Sequence, residues 1–292
     1  MKKFLSFIPF VFVLLISGLV QAEMQQGMPQ LVTDPRQAFM TGSIVVKGEG
    51  AAPPNKTLSA AQKRIMALRA AKVIALREIA EIINGVAVSG ETRVADAAVE
   101  SDAIRASVEG IVKGAQVIKE VYDPMSEMAG VYVSVPLTGP NGVIATLLPQ
   151  VIPVMPLPQY QPYQPMPPGE PPQQAQAQPK NYDGLILDVR EKPFKPALIN
   201  RVLAKNGEII YDPTKVAQNI LVERGAAEYT NDVGKARALL GERGSSNPLV
   251  VKAGGVVKST DVELAPEDAS AVFSSNQSNN FLEGAKVVFV LR

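Results

Sequence analysis

The chain has 292 residues, with 29 Lys and Arg against 28 Asp and Glu, and neither histidine nor cysteine. Without those two residue types there are no imidazole bases, thiol nucleophiles, disulfides, lipidated cysteines or ordinary zinc sites. The charge balance holds in both halves, with 11 basic and 11 acidic residues from Ser43 to Leu148 and 14 of each from Asn181 to Arg292, so no basic region points to nucleic acid or an acidic membrane surface.

Lys2 and Lys3 precede an apolar run from Phe4 to Ile16, extended by Leu19, and Val20-Gln21-Ala22 places small residues where a signal peptidase reads them. The pattern predicts an export signal over residues 1–22, cleaved after Ala22. The alternative is an uncleaved anchor, for which the run is short of the ~20 residues a span needs and is interrupted by Pro9. The expected mature protein is periplasmic, at most peripheral to the outer membrane, with no transmembrane segment. Residues 23–42 are polar and rich in Gln and Met, a flexible lead in which Asp34-Pro35 marks one weak turn start.

Residues 43–148 read as one small domain. Ser43–Glu49 is a strand, and Gly50–Lys56, with Pro53-Pro54, a loop. Gly48-Glu49-Gly50 resembles half of a dinucleotide fingerprint, but prolines stand where a phosphate-binding helix would begin, so a turn is expected. The region is organised around a helix over Thr57–Asn84. Ala61, Leu68, Ala71, Ala75, Ile79 and Ile82 form its core stripe, with Ile65, Leu76 and Ile83 as a shoulder. Alanine at half of the stripe brings the helix axis close to a sheet. Ser59 caps the start and Gly85 marks the end. Met66, Val73 and Ile74 lie off the stripe, so the helix is apolar on more faces than one sheet covers; either a partner or another part of the chain covers the rest. Lys72 falls within the apolar arc, where it either snorkels along its stem or is a desolvated catalytic lysine. A strand over Val86–Val94, a helix over Asp96–Val112, a hairpin of Ala115–Tyr122 and Val131–Leu137, and a closing helical turn at Val143–Leu148 complete the order strand, helix, strand, helix, strand, strand.

The run AQKRIMALRAAKVIALREIAEIINGVAVSGETRV, followed by Asp96, Asp102-Ala103-Ile104, Gly110, Gly114-Ala115 and the strand VYVSVPL, resembles the LPP-twenty lipoprotein family and the N-terminal domain of flagellar assembly protein T. The resemblance implies a small α/β domain exported to the bacterial envelope, often associated with the outer membrane and in some members part of flagellar ring structures. It implies no catalytic residue. The lipidated cysteine of the lipoprotein members is missing, which leaves the periplasm as the implied address.

Residues 149–180 form a disordered linker: Pro149–Pro179 contains 11 of the 24 prolines, many glutamines, Tyr160 and Tyr163, and one charge at Glu170. PxxP spacings such as Pro162 to Pro165 lack flanking cations, so a spacer is expected rather than a ligand motif. Residues 181–292 read as a second α+β domain, folding independently of the first. Its expected strands are Leu185–Arg190, Ala197–Leu203, Ile209–Tyr211 and Asp261–Leu264, with Pro248–Ala253 and Val256–Lys258 as a hairpin about Gly254-Gly255. Helices are expected from Asp212-Pro213 to Gly225, from Asp232 to Leu240 and from Pro266 to Phe273. Ala285–Leu291 is apolar enough to require burial on both faces.

The fold class is thus α+β, two small mixed domains joined by a Pro/Gln-rich linker. Asp96 with Asp102 could in principle bind calcium or transfer protons, but their spacing fits no EF-hand, and capping or solvated roles are expected; Asp183 and Asp188 read as polar strand positions. No catalytic, cofactor-binding or metal residue is predicted, and no cofactor. The expected function is a non-enzymatic structural or assembly role in the envelope, possible partners being copies of the chain itself or other envelope proteins. The alternative is a periplasmic binding module whose C-terminal domain takes a small molecule, glycan or peptide in a cleft.

Overall fold

A computed structural model describes residues 28–54, 56–154, 161–165 and 181–292, and the expected signal lies outside them. No helix among the described residues is long and apolar enough to cross a membrane. Met28–Leu31 belong to one unit and carry no helix or strand; Val32–Arg292 form the other.

The ordered chain begins earlier than expected. Helix α1 (Pro35–Thr41) starts where Asp34 accepts from the Gln37 N–H, with Pro35 in the first turn, and ends at a left-handed Gly42. Val32, Ala38 and Phe39 are buried, and the Val32 N–H donates to Val45 O at 2.7 Å, so from Val32 onward the presumed flexible lead is folded onto the sheet and gives three residues to the core. One buried phenylalanine, worth ~2 to 3 kcal/mol, outweighs the polar composition around it.

Strand β1 (Ser43–Ala51) alternates between buried and more open positions and pairs antiparallel with β5 (Met128–Pro136), whose other edge pairs with β4 (Gln116–Asp123). Across this sheet lies α2 (Ala60–Gly85), opened by a capping box between Ser59 and Gln62. Its buried stripe is Ala67, Ala71, Ala75, Ile79, Ile82 and Ile83. Ala61 and Lys72, predicted inside that stripe, are exposed. For Ala61 the reason is overhang: Gly50, one residue short of the end of β1, already meets Ala67, so the first turns of the helix project beyond the sheet. Lys72 instead lies over the sheet next to buried Ala71 and sits at the border of the stripe with its side chain in solvent. Gly48 and Gly50 are not in a turn, as expected, but in β1. A Cβ on Gly48 would stand 2.1 Å from Ala71 O, and one on Gly50 2.4 Å from Ala71 N. Helix backbone rests directly on strand backbone there, which only glycine permits.

The expected strand over Val86–Val94 is a hairpin of β2 (Ala87–Ser89) and β3 (Thr92–Arg93), turning at Gly90 with φ +64°. The expected helix over Asp96–Val112 is two, α3 (Val94–Glu100) and α4 (Asp102–Lys113), because Ser101 is extended and its hydroxyl accepts from the Ile104 N–H. Helix α5 (Val143–Val154) runs past Leu148 into the presumed linker, through Pro149 and Pro153. Interior proline costs ~3 kcal/mol; burial of Val143, Ile144, Leu147, Leu148 and Val151 exceeds that.

The C-terminal region has two sheets. One is all parallel, in the order β10 (Leu249–Lys252), β6 (Leu185–Asp188), β13 (Val287–Val290), β9 (Glu228–Thr230). Central β13 is buried on both faces, as its apolar run requires: Val288 and Val290 face Ala236 and Leu240 of α7 (Val233–Glu242), and Val287 and Phe289 face the main core. The other sheet has the order β11 (Gly255–Val257), β12 (Asp261–Leu264), β7 (Val202–Ala204), β8 (Ile209–Tyr211). Strands β10 and β11 therefore do not form the expected hairpin. The short link between them steps from one sheet to the next, and the Gly254 N–H donates to Glu263 O instead. The expected helix after Asp212 is also divided, into a 3₁₀ turn at Pro213–Lys215 and α6 (Gln218–Arg224), with Val216 and Ala217 extended between them. Helix α8 (Pro266–Asn279) packs against the second sheet.

The architecture is α+β in two regions, and the two are packed against each other rather than held apart by a spacer. They share one hydrophobic cluster, and an aromatic row crosses between them: Phe194 stacks on Phe289 at 4.9 Å, Phe289 on Tyr229 at 5.5 Å, and Phe39 of α1 meets Tyr229 edge-on at 5.0 Å.

Candidate functional site

The most elaborate polar construction lies where the hairpin β2–β3 enters the C-terminal region. Leu198 and Ile199 donate their N–H groups to Ala87 O and Val88 O, both at 2.9 Å. Beside these bonds Asn200 is 2% exposed and every polar atom of its side chain is used. Its Oδ1 accepts from the Ala197 N–H at 2.8 Å and from the Tyr229 hydroxyl at 2.7 Å; its Nδ2 donates to Thr260 O at 2.6 Å and Lys195 O at 3.2 Å. Burial raises the Tyr229 phenol well above its ordinary value, so it stays a neutral donor. Thr260 Oγ1 accepts from the Gly90 N–H at 2.7 Å, and Ser259 Oγ donates to Glu91 at 2.5 Å. Arg201, 1% exposed, holds Nε 3.5 Å from Asp212 Oδ1 and donates from Nη1 to Ser89 Oγ at 3.3 Å. A polar lock of this kind fixes one arrangement of the hairpin, because each group left unpaired would cost ~1 to 3 kcal/mol.

A second seam holds a cleft of about 290 Å³ between Phe39, Leu137, Thr138, Ile144, Tyr229 and Arg243. Its floor is fixed by Arg243, which is buried, 2.7 Å from Glu228 Oε1, and donates to the carbonyls of Ala285 and Arg224. The Gly139 N–H donates to Val222 O at 2.7 Å across the same seam. Both charges at the floor are committed to structural partners, which leaves a cleft of mixed lining, with Leu137 and Ile144 on its apolar part and Glu223, Arg224 and Glu242 on its polar part.

Residues 184–292 match a family model described as Treponema pallidum Tp0624, second domain. The match starts one residue before β6 and runs to the end of the chain, taking in both C-terminal sheets. No curated protein matches the chain.

The carboxylates weighed from sequence are not brought together. Asp96 accepts from the Arg93 N–H at 2.8 Å at the start of α3, Asp102 pairs with Arg105 at 2.8 Å on α4, and Asp188 pairs with Arg190 at 2.7 Å. Among the described residues no group of three or more His, Cys, Asp or Glu side chains converges as metal ligands would. Asp183 is more than a polar strand position. It accepts from Ser245 Oγ, the Ser246 N–H and Oγ and the Asn247 N–H at 2.7 to 2.9 Å, stapling the start of β6 to the loop before β10. Burial alone would raise its carboxyl; the bonds, led by that from Ser245, outweigh burial and hold it at about 2. A depressed carboxyl contributes stability above its unfolded value of 3.8 that disappears as the pH falls through about 2. Asp183→Asn is expected to cost about 1 kcal/mol at pH 7, a figure reduced for partial exposure, and to flatten the decline of melting temperature between pH 4 and 2 relative to wild type. Parallel acid melts of the two proteins check this.

The surface carries one further feature. The outward side of α2 exposes Ile65, Met66, Val73 and Ile74, by 40 to 58%, among exposed Arg64, Arg69, Lys72 and Arg77. Neither α4 nor α5 covers Ile74. Strand β4, at the sheet edge, exposes Val117, Ile118 and Val121, with Lys119 and Glu120 placed among them as charges that discourage edge pairing.

Proposed function

We propose that the chain is a non-enzymatic, exported envelope protein that works by assembly, with copies of itself or with other envelope proteins, in the periplasm and at the periphery of the outer membrane. The observation that carries this reading is the outward side of α2, where four large apolar side chains stand in solvent on a 26-residue helix. The signal-like residues 1–22 and the resemblance of residues 43–148 to LPP-twenty and flagellar assembly protein T domains support the export and assembly parts of the proposal, with a flagellum-like ring as the specific form.

Ile74→Glu and Val73→Glu test it. Each removes an exposed apolar group, so each is expected to change folding stability by no more than ~0.5 kcal/mol, a shift of a few degrees in melting temperature, while lowering the solution mass of the purified protein or its co-purification with envelope partners. Unchanged mass and partner recovery with both variants would remove the assembly reading, as would a large loss of stability with no change in association.

A further inference from the structure

Five residues of the presumed spacer are seated on the second C-terminal sheet. Gln161–Pro165 lies parallel to β8, the outer strand of that sheet, with Pro162 opposite Ile209. The Ile209 N–H donates to Gln161 O at 2.7 Å, and the Tyr163 N–H donates to Ile209 O at 2.9 Å. Amides of successive strand residues point to opposite sides, so the nitrogen of Pro162 faces away from β8. No ladder bond is lost, and the new edge is blunted. The nitrogen of Pro165 would face β8, and with no hydrogen to give it ends the pairing. Gln164 donates its N–H to Glu208 Oε2 at 2.9 Å.

Of the five, Tyr163 alone is partly buried. Its ring meets Phe273 of α8 at 5.3 Å and 64°, and its hydroxyl stands 2.9 Å from Ser270 Oγ. A cavity of about 330 Å³ continues from the ring along Ala204, Lys205 and Pro266. These are the elements of peptide recognition by strand addition: main-chain bonds at a sheet edge, and a pocket for one side chain. Nothing in the contacts depends on the segment being joined to the sheet it binds. The sequence also contains Tyr-Gln-Pro twice, at Tyr160–Pro162 and Tyr163–Pro165.

The geometry points to the groove between β8 and α8 being a binding site for an extended, proline-flanked tyrosine segment, filled from within by Gln161–Pro165 and fitted to receive the same segment from a second copy of the chain. The internal segment has the advantage of a tether, an effective concentration on the order of millimolar, so a segment from outside enters when the internal one is removed. This linkage is separate from the α2 face and is insensitive to Ile74→Glu.

The test uses the full chain and a fluorescent peptide with the sequence of residues 158–167. The double variant Tyr160→Ala, Tyr163→Ala is expected to bind the peptide at least tenfold more tightly than wild type. A peptide with phenylalanine at both tyrosines is expected to bind several-fold more weakly, and Ser270→Ala in the protein to abolish that difference. Equal affinity of wild type and double variant, or a tyrosine preference indifferent to Ser270→Ala, overturns the site. If the double variant does not melt cooperatively, Tyr163→Phe, which keeps the ring, is expected to give intermediate peptide affinity, and wild-type affinity from it is equally fatal. For the second-copy source, the double variant is mixed with a Ser270→Arg chain, whose segment is intact and whose groove is blocked. A heterodimer in solution mass that neither protein forms alone is expected, and its absence overturns exchange between copies.

Discussion

Gly48→Ala is expected to cost about 3 to 5 kcal/mol, and Gly48→Ala combined with Gly50→Ala to leave no cooperative unfolding transition. The atoms a new Cβ would strike are Ala71 O and Ala75 N for Gly48, and Ala71 N and Ala67 O for Gly50, all within 2.6 Å. These are helix backbone atoms, bonded into the turns of α2, so no rotamer change relieves them. The helix would have to lift from the sheet and thereby loosen Ala71, Ala75 and Ile79, which are fully buried beneath it. A close-packed interior transmits that displacement rather than absorbing it. Gly130→Ala is the control in the same sheet. Its Cβ would meet only Lys47 Cε at 3.0 Å, the far end of a flexible side chain, and a change below ~1 kcal/mol is expected. Urea titrations of the three variants decide the matter, and a Gly48→Ala protein within ~1 kcal/mol of wild type would show that the contact yields.

That glycine pair illustrates how legible the fold was. The periodicity of α2 and its alanine content announced a helix lying close on a sheet, and the structure has it. The strand that receives it was legible over Ser43–Glu49, but its Gly48-Glu49-Gly50 end was read as a turn, because glycine has the same one-letter signature whether it supplies a positive φ or makes room for a neighbour. Burial of β13 on both faces was legible from its unbroken apolar run. The separation of β10 and β11 into different sheets was not, since their alternation and the Gly254-Gly255 between them describe a hairpin equally well; β11 turns instead into the next strand, β12, and β10 pairs with β6, some 64 residues back in the chain.

The union of the two regions was hidden for the same reason. Ala87 and Val88 look like any strand, and Leu198 and Ile199 like another; nothing local says that they bond to each other. Phe39 was one aromatic in a polar lead, and its partner Tyr229 lies 190 residues on. The polar lock did leave a trace in sequence. Asn200-Arg201 stands between Leu198-Ile199 and Val202-Leu203, and a polar pair inside an apolar run has to be either a break in the element or a satisfied buried network. Composition and spacing could not choose between them, because the partners Thr260, Tyr229, Ser89 and Asp212 come from four other segments.

Asn200→Ala is expected to be the other most damaging single change, at about 3 to 5 kcal/mol. The substitution takes away one side chain and strands the buried Ala197 N–H and Thr260 O together with the Tyr229 hydroxyl and Lys195 O. Each such orphan costs ~1 to 3 kcal/mol where water cannot replace the partner, and partial relief is available to the phenol, which lies 3.5 Å from Ala197 O. Tyr229→Phe separates the network from its parts: it removes one bond while keeping the stacked ring on Phe289, and is expected to cost only ~1 kcal/mol. In the double variant the two losses are expected to fall short of additive by ~0.5 kcal/mol or more, since the phenol is already orphaned once Asn200 is gone. The consequence also crosses between the regions, because Asn200 holds Thr260 O while the Thr260 hydroxyl holds the Gly90 N–H at the turn of β2–β3. Hydrogen exchange at the amides of Leu198 and Ile199, which close the bonds to Ala87 and Val88, should therefore accelerate in Asn200→Ala more than at the amides of β13. A loss of stability below ~1 kcal/mol, or acceleration spread evenly over both sheets, would mean that the apolar cluster alone joins the two regions and that the buried polar groups are incidental to it.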